Sequence, residues 1–163
     1  MHAMMGGMSA AADAPLRDVV ERAEDALSRD PSAGEIRLPS QPSSARIARR
    51  LTERQLKQRW MLPPELAEDA VLLVSELVGN AVRHAGAPVF GLRIRRRRGW
   101  IRVEVRDPSR ALPCQLPVRD MDVTSGRGLF LVDTLADRWG VDLLPHGKCT
   151  WFEMRIACRA PHA

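Results

Sequence analysis

Two short stretches in the middle of the chain alternate apolar and polar residues with a period of two. The first covers residues 90–95, the second covers residues 101–106, and only residues 96–99 separate them. Because successive side chains of a strand point to opposite faces, each stretch predicts a β-strand with one apolar and one polar face. The pair predicts an antiparallel hairpin with one solvent-exposed face. Its apolar face therefore requires a second layer of structure to cover it.

Helical periodicity elsewhere in the chain supplies that layer. Along the chain, the predicted elements are a strand, two helices, the hairpin, a long loop, a helix and a final hairpin, at residues 35–39, 43–60, 63–85, 90–106, 108–125, 126–137 and 141–156. This order predicts an α+β fold, a two-layer sandwich with helices on one face of a mostly antiparallel sheet. The aperiodic loop contains three prolines, and a structureless segment of that length inside a small domain is usually functional.

The length of 163 residues suits one domain with an ordinary core. Residues 35–158 are predicted to form that domain, and residues 159–163 a short tail. Residues 1–34 are predicted to be a flexible extension, in which an apolar stripe at residues 13–29 indicates a short helix. We expect this helix to pack on the domain or to lie loose, and the alternative is a partner-docking helix.

Composition bounds the class of protein. Hydrophobic residues make up 45% of the chain and charged residues 28%, a balance typical of soluble globular proteins. No apolar run approaches the length of a membrane span, and the first residues lack the pattern of a signal peptide. The three cysteines form no metal-binding or disulfide pattern, which indicates reduced thiols and a cytoplasmic protein.

Polar residues form one line along the otherwise apolar helix predicted at residues 63–85. Glu76, Asn80 and His84 are spaced i, i+4 and i+8, so they share one face, and Arg83 lies on nearly the same side. Apolar residues fill most of the remaining surface, which indicates a largely buried helix. Such a helix rarely keeps a carboxylate beside a carboxamide unless the two groups are used.

This pair of side chains suits magnesium–nucleotide chemistry. The carbonyl oxygen of Asn80 is a hard, neutral ligand for Mg²⁺, an ion that takes few protein ligands and keeps phosphate and water in its shell. Glu76, one turn earlier, can accept a proton from an attacking hydroxyl group or water. A satisfied polar network or a helix end would explain the same residues, and this helix alone leaves both interpretations open.

Three boxes of residues, taken together, resemble a known family. They are Glu76-xxx-Asn80-xx-Arg83-His84 on the helix, Asp107 at the end of a strand, and Gly126-x-Gly128-Leu129 at the start of the next helix. In this order they are similar to the N, G1 and G2 boxes of the GHKL (histidine-kinase-like) ATPases, whose fold is the Bergerat type. The segments SELVGNAVRHA, GRGLFLVDTLADRWGV and GKCTWFEM resemble the stand-alone anti-sigma-factor and serine/threonine kinase branch of actinobacteria, over roughly residues 36–157.

The resemblance implies ATP and Mg²⁺ as cofactors and gives each box a role. Asn80 would hold Mg²⁺ and the phosphates, and Glu76 would be the catalytic base. Asp107 would accept a hydrogen bond from the adenine amino group. Gly126 and Gly128 would let backbone N–H groups approach the phosphates at a helix N-terminus, where the dipole favours anions.

Other implied cofactor contacts surround these groups. They are Arg83, His84, Thr124, Ser125, Arg127 and Leu129 near the phosphates, and Thr150 near the adenine. Residues 108–125 would form the ATP lid, and bracing of the helix is the alternative role for Arg83 and His84. The second box departs from its fuller form, Asp-x-Gly-x-Gly, because Pro-Ser-Arg-Ala follows Asp107 here. Stand-alone members often share the Asp-Pro form, so we expect adenine binding with a stiffer lid hinge.

The function favoured by this resemblance is that of an ATP-dependent protein serine/threonine kinase and anti-sigma factor. Such a protein would bind a sigma factor, phosphorylate an anti-sigma-factor antagonist and control transcription by partner switching. Relatives that dimerise suggest a homodimer. The alternative is a non-catalytic, ATP-responsive protein-binding module, which the altered second box favours.

A third hypothesis is nucleic-acid binding through the arginines of the central hairpin. These are Arg93, Arg95, Arg96, Arg97, Arg98, Arg102 and Arg106. Several would share the exposed face of the sheet, where a positive field attracts anions. We expect no aromatic residues between them to stack on bases, so solvated arginines or a docking face for an acidic protein are the preferred interpretations.

Overall fold

A five-stranded antiparallel sheet forms one layer of the computed structural model, and helices cover one face of it. The structure describes residues 18, 21–22, 34–84, 87–108 and 127–157. Within these residues the elements are β1 Ile36–Pro39, α1 Ser43–Glu53, a π-helical segment Arg54–Arg59, α2 Pro64–His84, β2 Val89–Arg97, β3 Trp100–Asp107, α3 Arg127–Leu135, β4 Arg138–Leu144 and β5 Gly147–Arg155. The strand order in the sheet is β1-β2-β3-β5-β4. The predicted α+β sandwich is therefore confirmed.

One predicted helix changes character before it ends. The helix expected at residues 43–60 is α-helical only to Glu53, and its turns then widen. The Trp60 N–H donates to the Gln55 carbonyl oxygen at 3.0 Å, and the Leu62 N–H donates to the Leu56 carbonyl oxygen at 2.9 Å. These bonds span five and six residues instead of the four of an α-helix. Both Gln55 and Leu56 are buried in this wider segment.

The core lies between the helices and the sheet. Alternate residues of the strands point into it, namely Leu38, Phe90, Leu92, Ile94, Ile101, Val103, Val105, Phe152 and Met154. On the helical side, Leu66, Leu73 and Val74 of α2 belong to the same cluster, and α2 contacts both β3 and β5. This packing fixes α2 over the two strands that carry the predicted adenine contacts.

The central hairpin closes more tightly than the sequence predicts. Strands β2 and β3 pair up to Arg97 and Trp100, so the turn is Arg98-Gly99 instead of residues 96–99. Both turn residues have positive φ, 40° and 84°. This is the two-residue geometry that matches the natural twist of a hairpin.

The face of the sheet opposite the helices, here called the open face, carries a network of charged side chains. Glu104 of β3 lies at its centre and is only 9% exposed. Its Oε1 accepts a hydrogen bond from Arg102 Nε at 2.7 Å, while its Oε2 lies 3.6 Å from Arg93 Nη1 and 3.9 Å from Arg95 Nη2. Burial alone would lower the pKa of Arg102, but hydrogen bonds to Glu104 and Glu153 raise it above its usual value.

Substitution of Glu104 by alanine is expected to lower the free energy of unfolding by about 2 kcal/mol. Three guanidinium groups would lose their shared carboxylate. The decrease in stability is moderated because the three arginine side chains are 22–39% exposed and stay partly hydrated. Urea unfolding monitored by circular dichroism would measure it. The matched control is Glu68→Ala, which removes the same charge from an exposed position of α2. A loss no larger than in this control would mean that the network contributes nothing measurable.

The predicted N-terminal extension falls almost wholly outside the described residues. Of the helix predicted at residues 13–29, positions 18, 21 and 22 are described, and all three are helical and exposed. The predicted boundaries of the domain at residues 34 and 158 stay predictions.

Candidate functional site

Helix α2 carries the polar line predicted from the sequence. It begins at Pro64 with Glu65 in its first turn, residues that suit a helix N-terminus through a fixed φ and a favourable charge. One side of the helix is buried in the core. Glu76 and Asn80 are half-buried and Arg83 is exposed, so the line runs from the edge of the core towards solvent.

Arg83 and Asn80 are in direct contact. Arg83 Nη2 donates to Asn80 Oδ1 at 3.4 Å, and Arg83 Nε donates to the Gly79 carbonyl oxygen at 3.2 Å. The oxygen that would bind Mg²⁺ is therefore held by a guanidinium group in this structure. A cation at Oδ1 would be repelled by this guanidinium, so its binding would favour movement of Arg83 away from Asn80.

The third box, Gly126-x-Gly128-Leu129, leads into a helix, as predicted. Helix α3 begins at Arg127 and contacts α2, so Gly128 and Leu129 lie in its first turn. Backbone N–H groups of a first turn are free to bind anions. The predicted phosphate contacts Thr124, Ser125 and Gly126 lie outside the described residues. His84 is the last residue of α2.

Asp107 is the last residue of β3 and is 2% exposed. It lies directly opposite Lys148 of β5, and Lys148 Nζ is 3.7 Å from Asp107 Oδ2. Both side chains point towards the helices, because Asp107 follows the buried residues Val103 and Val105 at intervals of two. The predicted adenine-reading carboxylate thus belongs to a buried ion pair.

Sequence reasoning missed Lys148. The predicted final strand starts at residue 150, whereas β5 already starts at Gly147. The signal was available, because Lys148 continues the period-two series of Thr150, Phe152 and Met154 that faces the helices.

Thr150 sits one step further from the strand end. It is half-buried and lies opposite Val105, two residues along β5 from Lys148. Same-face neighbours on a strand are about 7 Å apart. The side chain next to Asp107 is therefore that of Lys148, and the adenine contact of Thr150 stays a prediction.

Gly147 allows the start of β5 to pack closely against the end of β3. Its φ is 134°, and a Cβ built on it would collide with the Asp107 carbonyl oxygen and lie 2.7 Å from Pro108 Cα. Both neighbours are backbone atoms that cannot rotate away. This close approach sets the spacing of Asp107 and Lys148.

The open face contradicts one expectation from the sequence, because two aromatic rings lie among its arginines. Trp100 and Trp151 share this face with Arg102. Each ring is covered by a guanidinium group, Arg102 over Trp151 and Arg138 over Trp100, both 4.1 Å from the ring centroid. These cation–π contacts occupy the ring faces that a nucleobase would need.

Cys149 also points to the open face and is buried. Burial, with the nearby Glu104 carboxylate, raises the pKa of its thiol to about 11. The thiol is therefore protonated at neutral pH and is a poor nucleophile. Cys114 and Cys158 lie outside the described residues.

Metal-binding clusters and membrane-spanning helices are both absent from the part of the chain that the structure describes. No group of three or more His, Cys, Asp or Glu side chains is arranged to hold a metal ion. No helix there is both long enough and apolar enough to cross a membrane.

Comparison with known proteins identifies the type of domain. The family model for the histidine kinase-like ATPase domain matches residues 38–155, and no curated protein matches significantly. The fold is similar to that of the RsbU and RsbW domains of Rv1364c from Mycobacterium tuberculosis, with a TM-score of 0.54 and 18% identity. That match covers 78% of this chain and only 34% of the other. The histidine kinase domain of blue-light activated histidine kinase EL346 from Erythrobacter litoralis has a TM-score of 0.49 and 23% identity, over 86% and 72% of the two chains.

Proposed function

Because the chain belongs to the histidine kinase-like ATPase domain family, we propose that it is an ATP-binding regulatory protein. More specifically, we propose an anti-sigma-factor serine/threonine kinase that phosphorylates an anti-sigma-factor antagonist and so controls transcription by partner switching. The observation that carries the proposal is the line of Glu76 and Asn80 on α2, a helix packed over the strands that bear Asp107 and Lys148. A cytoplasmic location and a homodimer belong to the same proposal.

The residues present fit Mg²⁺ and ATP. Mg²⁺ bound with a nucleotide needs only one or two protein oxygens, since phosphates and water complete its shell. Asn80 Oδ1 is such an oxygen, carried by a residue that is half-buried on α2. The adenine amino group needs an acceptor shielded from water, and the Asp107 carboxylate is 2% exposed.

These residues divide the work of phosphoryl transfer. When bound, Mg-ATP supplies the phosphoryl group and part of the charge compensation. Glu76 takes the proton of the antagonist's Ser or Thr hydroxyl as that oxygen receives the phosphoryl group and ADP leaves. Asn80 would hold the metal ion, and Arg83, once released from Asn80, would offer its guanidinium to the phosphates.

The second candidate function is a non-catalytic module in which ATP, or no ligand, changes partner affinity. The observation that favours it is the second box, where Pro108 directly follows Asp107 and no glycine occurs in the next three positions. A less mobile lid hinge would slow the closure that transfer requires. Retention of both Glu76 and Asn80 favours the kinase.

The test is a calorimetric titration with ATP, followed by a transfer assay with an antagonist protein captured by the tagged chain. Mg²⁺-dependent binding and a phosphorylated Ser or Thr on the captured protein are expected. Binding without transfer would support the non-catalytic module. Absence of ATP binding would overturn the proposed function.

Glu76→Gln is expected to bind ATP with unchanged affinity and to transfer phosphate about 100- to 10,000-fold more slowly. The amide keeps the shape of the side chain but cannot accept a proton. Phosphate incorporation into the antagonist, measured beside an ATP titration, separates the two effects. The charge-matched control is Glu68→Gln on the exposed side of the same helix. Transfer at the wild-type rate by the Glu76 variant would remove Glu76 from the mechanism.

A further inference from the structure

The ion pair between Asp107 and Lys148 is buried on both sides. The two side chains are 2% and 6% exposed, and their charged atoms lie 3.7 Å apart. A lysine is almost never buried to this extent unless it is paired. The pairing is imposed by the fold, since the two residues are direct partners in the β3–β5 ladder.

The pair combines two opposite hydrogen-bonding characters. A carboxylate only accepts hydrogen bonds, and an ammonium group only donates them. Because both side chains leave neighbouring strands on the same face, the acceptor and the donor stand side by side at the end of the sheet. Gly147, whose missing Cβ permits close contact with the backbone of Asp107 and Pro108, fixes this arrangement.

The Watson–Crick edge of adenine has the complementary pattern, a 6-amino donor next to the N1 acceptor. We propose that Lys148 is a base-reading residue whose ammonium group donates to adenine N1 while Asp107 accepts from the 6-amino group. This inference rests on the proposed function, because it assumes an adenine nucleotide at Asp107. Hypoxanthine and guanine present the reverse order, an acceptor at position 6 and a donor at N1, so the pair selects against them.

The sharpest test uses an ATP analogue and requires no variant. In 1-deaza-ATP the N1 acceptor is replaced by a C–H group while the 6-amino group is retained. Wild-type protein is expected to bind 1-deaza-ATP about 10- to 100-fold more weakly than ATP, the range for loss of a charged hydrogen bond. The analogue control is 7-deaza-ATP, which keeps the Watson–Crick edge and is expected to bind like ATP.

Variants connect this discrimination to Lys148. Lys148→Met keeps the length of the side chain without its charge and is expected to bind ATP and 1-deaza-ATP with equal, weakened affinity. The control is Lys57→Met, at the other lysine of the chain, which is partly exposed and paired with Glu53. This control is expected to discriminate between the two nucleotides as the wild type does.

The possible failures are distinguishable. Equal binding of ATP and 1-deaza-ATP by the wild type, or full discrimination by a folded Lys148→Met variant, would overturn the inference and leave the proposed function intact. If the wild type bound none of the nucleotides, the proposed function would fail and the inference with it. Should Lys148→Met not fold, equal binding of ATP and 1-deaza-ATP by the wild type would still overturn the inference.

Discussion

Asn80→Ala is expected to weaken ATP binding by about 100-fold or more when Mg²⁺ is present. The substitution removes the amide oxygen that we assign to the metal. Without Mg²⁺ the variant and the wild type are expected to bind ATP with similar, low affinity. Parallel calorimetric titrations in Mg²⁺ and in EDTA would measure both values.

The control for this substitution is Ser75→Ala on the same helix. The Ser75 hydroxyl donates to the Val71 carbonyl oxygen at 3.0 Å, so its hydrogen bond is made within the helix. Removal of this hydroxyl is therefore expected to leave ATP binding unchanged. If Asn80→Ala lowered the affinity equally in Mg²⁺ and in EDTA, the side chain would act on the nucleotide or on the helix, and not through the metal.

The contact between Arg83 and Asn80 would link the proposed nucleotide binding to a rearrangement. Arg83 Nη2 donates to the oxygen that we assign to Mg²⁺, so metal binding would favour departure of the guanidinium through charge repulsion. Both groups are near solvent, where such a contact contributes little to stability. The cost of releasing Arg83 is therefore small, and in the proposed mechanism the released guanidinium would be available to the phosphates.

Most of the fold follows from periodicity in the sequence. The alternation at residues 90–95 and 101–106 predicted the central hairpin, and the apolar stripe of residues 63–85 predicted α2. These signals are strong because one face of each element is buried, which fixes which residues must be apolar. The strand at residues 35–39, which is β1 in the structure, was also predicted.

The misses have local physical causes. The segment Arg54–Arg59 contains ordinary helix-forming residues, so nothing in it distinguishes π-helical from α-helical turns. The early start of β5 was missed because Lys148 and Cys149 are not typical strand residues and follow a turn-forming Pro-His-Gly sequence. That one boundary concealed the partner of Asp107.

The candidate site was predictable only as a set of residues. Spacing placed Glu76 and Asn80 on one face of a helix, and the order of the boxes placed Asp107 at a strand end. Contacts between elements, such as the pair of Asp107 with Lys148, depend on the register of β3 with β5. Register is set by the whole sheet and cannot be read from either strand alone.

Gly147→Ala is expected to lower the free energy of unfolding by about 3 kcal/mol, because two penalties add. The positive φ of 134° is strained for any residue with a Cβ. The new methyl group would also collide with the backbone of Asp107 and Pro108, which neither strand can relieve without moving. Urea unfolding would measure the loss, and ATP binding is expected to fall with it because Asp107 and Lys148 would move apart.

Gly99→Ala separates these two penalties. Gly99, in the turn between β2 and β3, also has a positive φ, but a Cβ there would meet no atom within 4 Å. Its replacement is therefore expected to cost only the backbone strain, about 1 kcal/mol, and to leave ATP binding unchanged. If the two variants lost equal stability, the close approach of Gly147 to β3 would contribute nothing. The end of β5 would then be free to accept a side chain beside Asp107, and the spacing of the buried ion pair would need another cause.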